Sequence, residues 1–262
     1  MNQMRFIGLL SVALAALCGQ AQASDLYLKY KLYAIGLPIG SGTLNLSLND
    51  SDFSLNANGQ TAAFGKLISD GKGSVRVKGD VDGSSMRPGD FAFSMTSEDE
   101  KDTVSMKLRG GKVREVVVNP PQDRMKERVK VTAKHLEGVL DPLTAAVLPA
   151  PKGLAPESCN RTLSLFDGKE RYNIHLQYKS QRSSSTSDGR FKGKVLVCSA
   201  RYEPVSGHRK GRKAIQALAD NKSMEVWLAP VGDTPYLVPL RASITAPFGP
   251  LVIQADKYKF TD

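Results

Sequence analysis

The feature that most restricts this chain is an apolar–polar alternation of period two, broken about every ten residues by turn chemistry. Leu26, Leu28, Tyr30 and Leu32 alternate with Tyr27, Lys29, Lys31 and Tyr33, which makes a strand with one face buried. Leu44, Leu46 and Leu48 repeat the pattern, as do Phe53, Leu55 and Ala57. Val75, Val77 and Val81 follow, then Phe91, Phe93 and Met95, then Val104, Met106 and Leu108, then the run from Val113 to Val118. Asn49-Asp50-Ser51-Asp52, Asp82-Gly83, Pro88-Gly89 and Gly110-Gly111 punctuate them, each able to reverse the chain. No stretch reads as a strand–helix–strand crossover, so the pattern predicts an antiparallel meander. Only residues 61–69 are ambiguous, since Ala63, Phe64, Leu67 and Ile68 fit a short helix as well as a bent strand.

Pro120-Pro121 ends this first group, and Lys126 to Lys134 reads as a basic, exposed connection. Asp141 is placed to cap a helix that starts at Pro142 and buries Leu143, Ala146 and Val147. Pro149 and Pro151 stop it, and a helix there would plug one end of a barrel or cover a sheet face.

The second group centres on residues 159–207. Cys159 to Phe166 and Arg171 to Leu176 flank Asp167-Gly168, a strong hairpin signal. A serine-rich loop over Ser180–Gly189 leads to the strand Val195–Tyr202, which places Cys159 and Cys198 on neighbouring strands, where a disulfide staples the hairpin. The basic run His208 to Lys213 leads into a short helix carrying Ala214, Ile215 and Leu218. Three strands close the chain, marked by Val226 and Leu228, by Val238 and Leu240, and by Leu251 to Phe260. The expected fold is all-β: a strongly curved antiparallel sheet or barrel of about eleven to twelve strands with one to three short helices.

The N-terminus points to a compartment. Arg5 is followed by an apolar run to Leu17, and Ala21-Gln22-Ala23 supplies a small-residue cleavage site. Residues 1–23 therefore read as a secretory signal peptide, and 24–262 as a single β-rich periplasmic domain that does not span a membrane after cleavage. Cleavage removes Cys18 and leaves two cysteines, an even number for an oxidising compartment. Net charge is +10, and +9 once Arg5 is gone, which suits acidic lipid headgroups or anionic cell-wall polymer. Nucleic acid is disfavoured by export.

Five stretches in order, YKLYAIGLPIGSGTLNL, LEGVLDPLTAAVL, CNRTLSLFDGKERYNIHL, VCSARYEPVSGHR and VWLAP, resemble bacterial exported proteins of the domain of unknown function 3108 family. The resemblance covers roughly residues 25–257 and rests on the order of the motifs rather than on any one of them. It implies a periplasmic β-rich domain and supplies no activity. On this resemblance Cys159 and Cys198 occupy the family's cysteine positions.

Chemistry is sparse. Gly36, Gly40 and Gly42 lack the Lys-Ser/Thr of a phosphate loop and read as turn and bulge glycines. There is no G-x-S-x-G elbow, and the acids from Glu98 to Asp102 form a charged hairpin tip. His135, His175 and His208 have no metal-ligand spacing, so neither a metal nor a cofactor is expected. Arg201, Tyr202, His208, Arg209, Lys210, Arg212 and Lys213 are a candidate patch for an anionic ligand or partner. The expected role is non-catalytic binding or scaffolding, its target an envelope lipid, a cell-wall polymer or fragment, or a periplasmic protein. The alternative is an envelope hydrolase or cell-wall-modifying enzyme with a non-standard site. An outer-membrane barrel is disfavoured by lysines on strand faces and the lack of aromatic girdles.

Overall fold

The computed structural model describes residues 23–62, 71–98, 100–122, 127–246 and 248–262. The proposed signal peptide and the ambiguous stretch after Ala62 lie outside the described residues.

The first meander is β1 (Ser24–Ala34), β2 (Leu37–Leu48), β3 (Asp52–Thr61), β4 (Gly71–Asp82), β5 (Ser85–Ser97), β6 (Glu100–Arg109) and β7 (Lys112–Asn119). After a connection holding the two-residue β8 (Leu148–Pro149) come β9 (Arg161–Phe166), β10 (Arg171–Ser185) and β11 (Lys192–Ser206). The helix α1 (Lys213–Ala219), β12 (Glu225–Pro230), β13 (Tyr236–Ala246) and β14 (Gly249–Thr261) complete the chain.

The described strands join in one antiparallel sheet of 14, ordered β7-β6-β5-β4-β3-β2-β1-β14-β13-β12-β11-β10-β9, with β8 beside β13. Two sequential meanders are thus joined by their chain-terminal strands, since β1 pairs with β2 on one side and with β14 on the other. The sheet curls until its edge strands β7 and β9 flank residues 137–140. There Val139 N–H donates to Gly111 O (3.0 Å), Leu140 N–H to Ser164 O (2.9 Å) and Phe166 N–H to Leu140 O (3.0 Å). A lone bridge from Lys112 to Glu137 and another from Leu140 to Leu165 mark the same seam.

Alternation places Leu26, Leu28, Leu46, Leu55, Val77, Phe91, Met106 and Leu108 in the main core. A second cluster forms where the connection carrying Leu148, Ala150 and Cys159 packs on Leu176, Leu196, Cys198, Leu228 and Leu237. β11 serves both: Val195 belongs to the first cluster, Leu196 and Cys198 to the second, and all three are fully buried. That explains its unbroken apolar run, the signature of a strand covered on both faces.

The structure amends the reading of the hairpins. Asp167-Gly168 is not a two-residue turn, because Phe166 pairs with Arg171 and leaves four residues between the strands. Asp167 Oδ1 accepts from the N–H of Lys169 (2.8 Å) and of Glu170 (2.7 Å), so the side chain organises the longer turn. The serine-rich stretch is strand rather than loop, with Ser183, Ser184 and Ser185 opposite Lys194, Gly193 and Lys192. Cys159 lies in the turn after a short 3₁₀ segment (Pro156–Ser158), not on a strand neighbouring Cys198. Its bond to Cys198, with Cα atoms 5.6 Å apart, ties this turn directly to β11, and Tyr178 of β10, opposite Cys198, donates its N–H to Asn160 Oδ1.

The disulfide closes a separation of 39 residues. A loop of that size is worth about 4 kcal/mol in the chain-entropy account, or roughly 10 °C for a domain this large. Replacing both cysteines by serine is expected to lower the thermal midpoint by about that amount under oxidising conditions. In strong reductant, wild type and variant should melt together; calorimetry under both conditions checks this.

Candidate functional site

Strand register builds a chamber at one end of the barrel. Leu46, Leu55 and Val77 lie side by side on β2, β3 and β4, and all three are buried. The next inward layer is Leu44, Ala57 and Val75. The layer beyond is Gly42, Gly59 and Gly73, paired directly across the three strands, with Tyr30 on one side and Met95 on the other. Inward side-chain volume therefore falls from leucine to nothing, and a cavity of about 640 Å³ occupies the space. Its apolar walls include Leu32, Ile39, Phe93 and Ile253.

These glycines have two different causes. A Cβ on Gly40 or Gly42 would come within 2.8 Å of the Gln60 or Asn58 carbonyl oxygen, so the backbone itself excludes a side chain. A Cβ on Gly59 would lie 3.8 Å from Ser41 O, and one on Gly73 3.4 Å from Ser94 O. Both fit ordinary contact, and neither backbone is left-handed. Among the described residues nothing demands glycine at 59 or 73, and its effect there is empty volume.

The segment after the seam forms the floor. Asp141 is buried, and its Oδ1 accepts from the N–H of Leu143 (3.0 Å) and of Thr144 (2.9 Å). This is the expected capping, but the helix shrinks to a 3₁₀ turn (Thr144–Ala146), because Leu148 and Pro149 are drawn into pairing with β13. Leu143 and Ala146 face the chamber, and Val147 enters the core. Tyr30 crosses the floor and donates its hydroxyl to Pro239 O (2.7 Å).

The basic candidates do not form one open patch. Tyr202 is buried against Tyr172, ring centroids 5.4 Å apart, and burial pushes its hydroxyl up to about 12. Arg201 is exposed and, as its neighbour on a strand, faces the other way. Lys210 pairs with Glu127 at 2.5 Å, and its N–H donates to Glu127 O. His208 O accepts from Val129 N–H and Arg209 bridges to Arg128, so this run is chiefly bonded to the 127–131 connection. Arg212 and Lys213 are exposed at the start of α1.

Two other places gather polar side chains. His175 lies between Thr162 Oγ1 (2.9 Å from Nδ1) and Glu203 Oε2 (2.8 Å from Nε2), across β9, β10 and β11. The order resembles a nucleophile–base–acid line, yet the imidazole and carboxylate are half in solvent, where a polar cross-strand ladder is the ordinary outcome. A groove of about 650 Å³ is lined by Asp52, Lys78, Asp80, Arg87 and Lys107, whose mixed charges suit water. Among the described residues, no three His, Cys, Asp or Glu side chains are placed to hold a metal ion.

Residues 29–256 match the family described as a protein of unknown function, DUF3108. The chain belongs to that family. No curated protein matches it. Among solved structures, this DUF3108 chain is similar to a beta-barrel-like protein of domain of unknown function DUF1849 from Brucella abortus. The TM-score is 0.52 at 11% identity, covering 92% of this chain and 98% of that one, a likeness of fold.

Burial holds the Asp141 carboxyl of this DUF3108 protein above the ordinary carboxylate range, outweighing the hydrogen bonds at Thr144 and Leu143. A raised folded-state pKa favours folding below the unfolded pKa of about 4 and loses that contribution as pH rises. Asp141→Asn keeps the accepting oxygen without the charge. Its thermal midpoint relative to wild type is expected to climb between about pH 4 and about pH 7, which paired melts across that window would measure.

Proposed function

We propose that this protein is a non-catalytic periplasmic envelope protein that binds the hydrocarbon chain of a lipid in the glycine-walled chamber. The observation that carries the reading is that Gly59 and Gly73 lie where a side chain would fit and would fill the space. A cavity of 640 Å³ is within the range of pockets that enclose one small ligand, about 300–1,000 Å³. Walls that are mostly apolar, with Lys72 the one charged residue among the described lining, suit an alkyl chain, whose transfer from water contributes about 0.8 kcal/mol per methylene. The compartment follows from the leader pattern in the sequence. The disulfide suits an oxidising space, and no described helix is long and apolar enough to cross a membrane.

The test uses a fluorescent fatty acid displaced by palmitate. Wild type is expected to bind it, and Gly73→Leu or Gly59→Leu to weaken binding at least about tenfold by filling the chamber. Both variants should fold with an equal or higher thermal midpoint, since leucine replaces glycine in an extended strand. Unchanged binding in both variants would place the ligand elsewhere and end this reading. The line from Thr162 through His175 to Glu203 favours a hydrolytic alternative. Turnover of an ester panel that disappears in His175→Ala would replace binding with catalysis.

A further inference from the structure

Two hairpin tips stand at the chamber's end of the barrel. Ala34 pairs with Leu37, which leaves Ile35 and Gly36 as a two-residue turn with φ of 47° and 83°. Both values belong to the turn type that selects Asn, Asp or Gly, and a β-branched residue there is a backbone outlier. Ile35 nevertheless remains 58% exposed, so burial does not offset the strain. Beside it, Ala246 pairs with Gly249 in the β13–β14 hairpin, and Phe248 in that turn is 66% exposed. The two tips touch: Ile35 N–H donates to Pro250 O (2.8 Å), and a Cβ on Gly249 would lie 2.4 Å from Ile35 Cγ2. Leu37, 46% exposed, completes an apolar group that a protein in water alone would not be expected to display.

Charge is arranged to match. Residues 32–49 and 242–255 contain no Asp, Glu, Lys or Arg, although charged residues make up 24% of the chain. Back from the tips, the first charges on β1 and β13 are the cations Lys31 and Arg241, in one register layer through Gln254. Lys29 and Lys257 form the next layer. The first acid on β14, Asp256, is bonded to Lys31 at 2.9 Å. The acidic β5–β6 turn with Glu98 and Glu100 lies at the same end but several strands away, so the contact is one-sided.

We infer that Ile35, Leu37 and Phe248 insert into an anionic lipid bilayer, with the lysine collar on the phosphates and the chamber mouth facing the membrane. Apolar side chains entering the headgroup boundary with cations one layer behind is the arrangement by which peripheral proteins hold to such surfaces. The inference deepens the lipid-binding reading, since it supplies a path from bilayer to cavity, but it rests on different residues.

The test is co-sedimentation with phosphatidylglycerol/phosphatidylcholine vesicles and with phosphatidylcholine vesicles alone. All variants are made in the full-length gene, so any leader residues retained are common to them. Wild type is expected to pellet with the mixed vesicles and less with the neutral ones. Leu37→Ser/Phe248→Ser should reduce partitioning at least about tenfold. Ile35→Asn, which suits the turn, should also weaken it while melting no lower than wild type. Val117→Ser, at an exposed apolar residue on β7, should change nothing. A double variant that pellets like wild type, or an equal loss in Val117→Ser, would overturn the inference. Fatty-acid binding separates the two claims: tip variants should retain it, and Gly73→Leu should lose it while still pelleting.

Discussion

A curled antiparallel sheet that does not quite close leaves two rows of backbone donors and acceptors facing one another, and burying them unpaired would cost more than the curl gains. Residues 137–140 resolve this by bonding to the start of β7 on one side and to β9 on the other. The same stretch runs directly into Asp141, whose carboxylate turns the chain and delivers Leu143 and Ala146 to the chamber floor. Edge closure and floor are therefore one piece of chain, and the basic run after β11 supports it by bonding the preceding connection through Val129 and Glu127.

The barrel can afford a hollow end because its other end is solid. Leu26, Leu46, Leu55, Val77, Phe91 and Met106 fill the layers below the glycines, and all are buried. Stability and vacancy are separated along the strand axis, so the layer that is empty is not the layer that holds the sheet together. β11, enclosed on both faces and tied by Cys198, gives the second half of the barrel an anchor the first half lacks.

Much of this was legible in residue order. Strict alternation marked the long strands, and the curved all-β architecture followed from their spacing. β8 was not legible, since two residues carry no period. The serines of β10 read as loop because exposed strand positions and loop positions share polar residues. Tyr202 lies beside the arginines in sequence, yet it neighbours Arg201 on a strand and so faces the opposite way. The chamber escaped for a different reason. Glycine in a sequence reads as punctuation, whereas Gly42, Gly59 and Gly73 each fall in the inward phase of their strands. Their alignment depends on pairing across three strands, which one strand at a time does not reveal. Three inward glycines at matching distances from their turns were the signal available.

The union of β1 with β14 bears on how such a chain comes to be folded. Ten residue pairs, from Asp25 with Thr261 to Ala34 with Leu251, join an early strand to one more than 200 residues later. A polypeptide emerging N-terminus first can lay β2 against β1 at once, but the opposite edge of β1 must wait for the whole remainder. During that interval a ribbon bearing Leu26, Leu28 and Leu32 keeps one backbone edge unpaired and open to other chains.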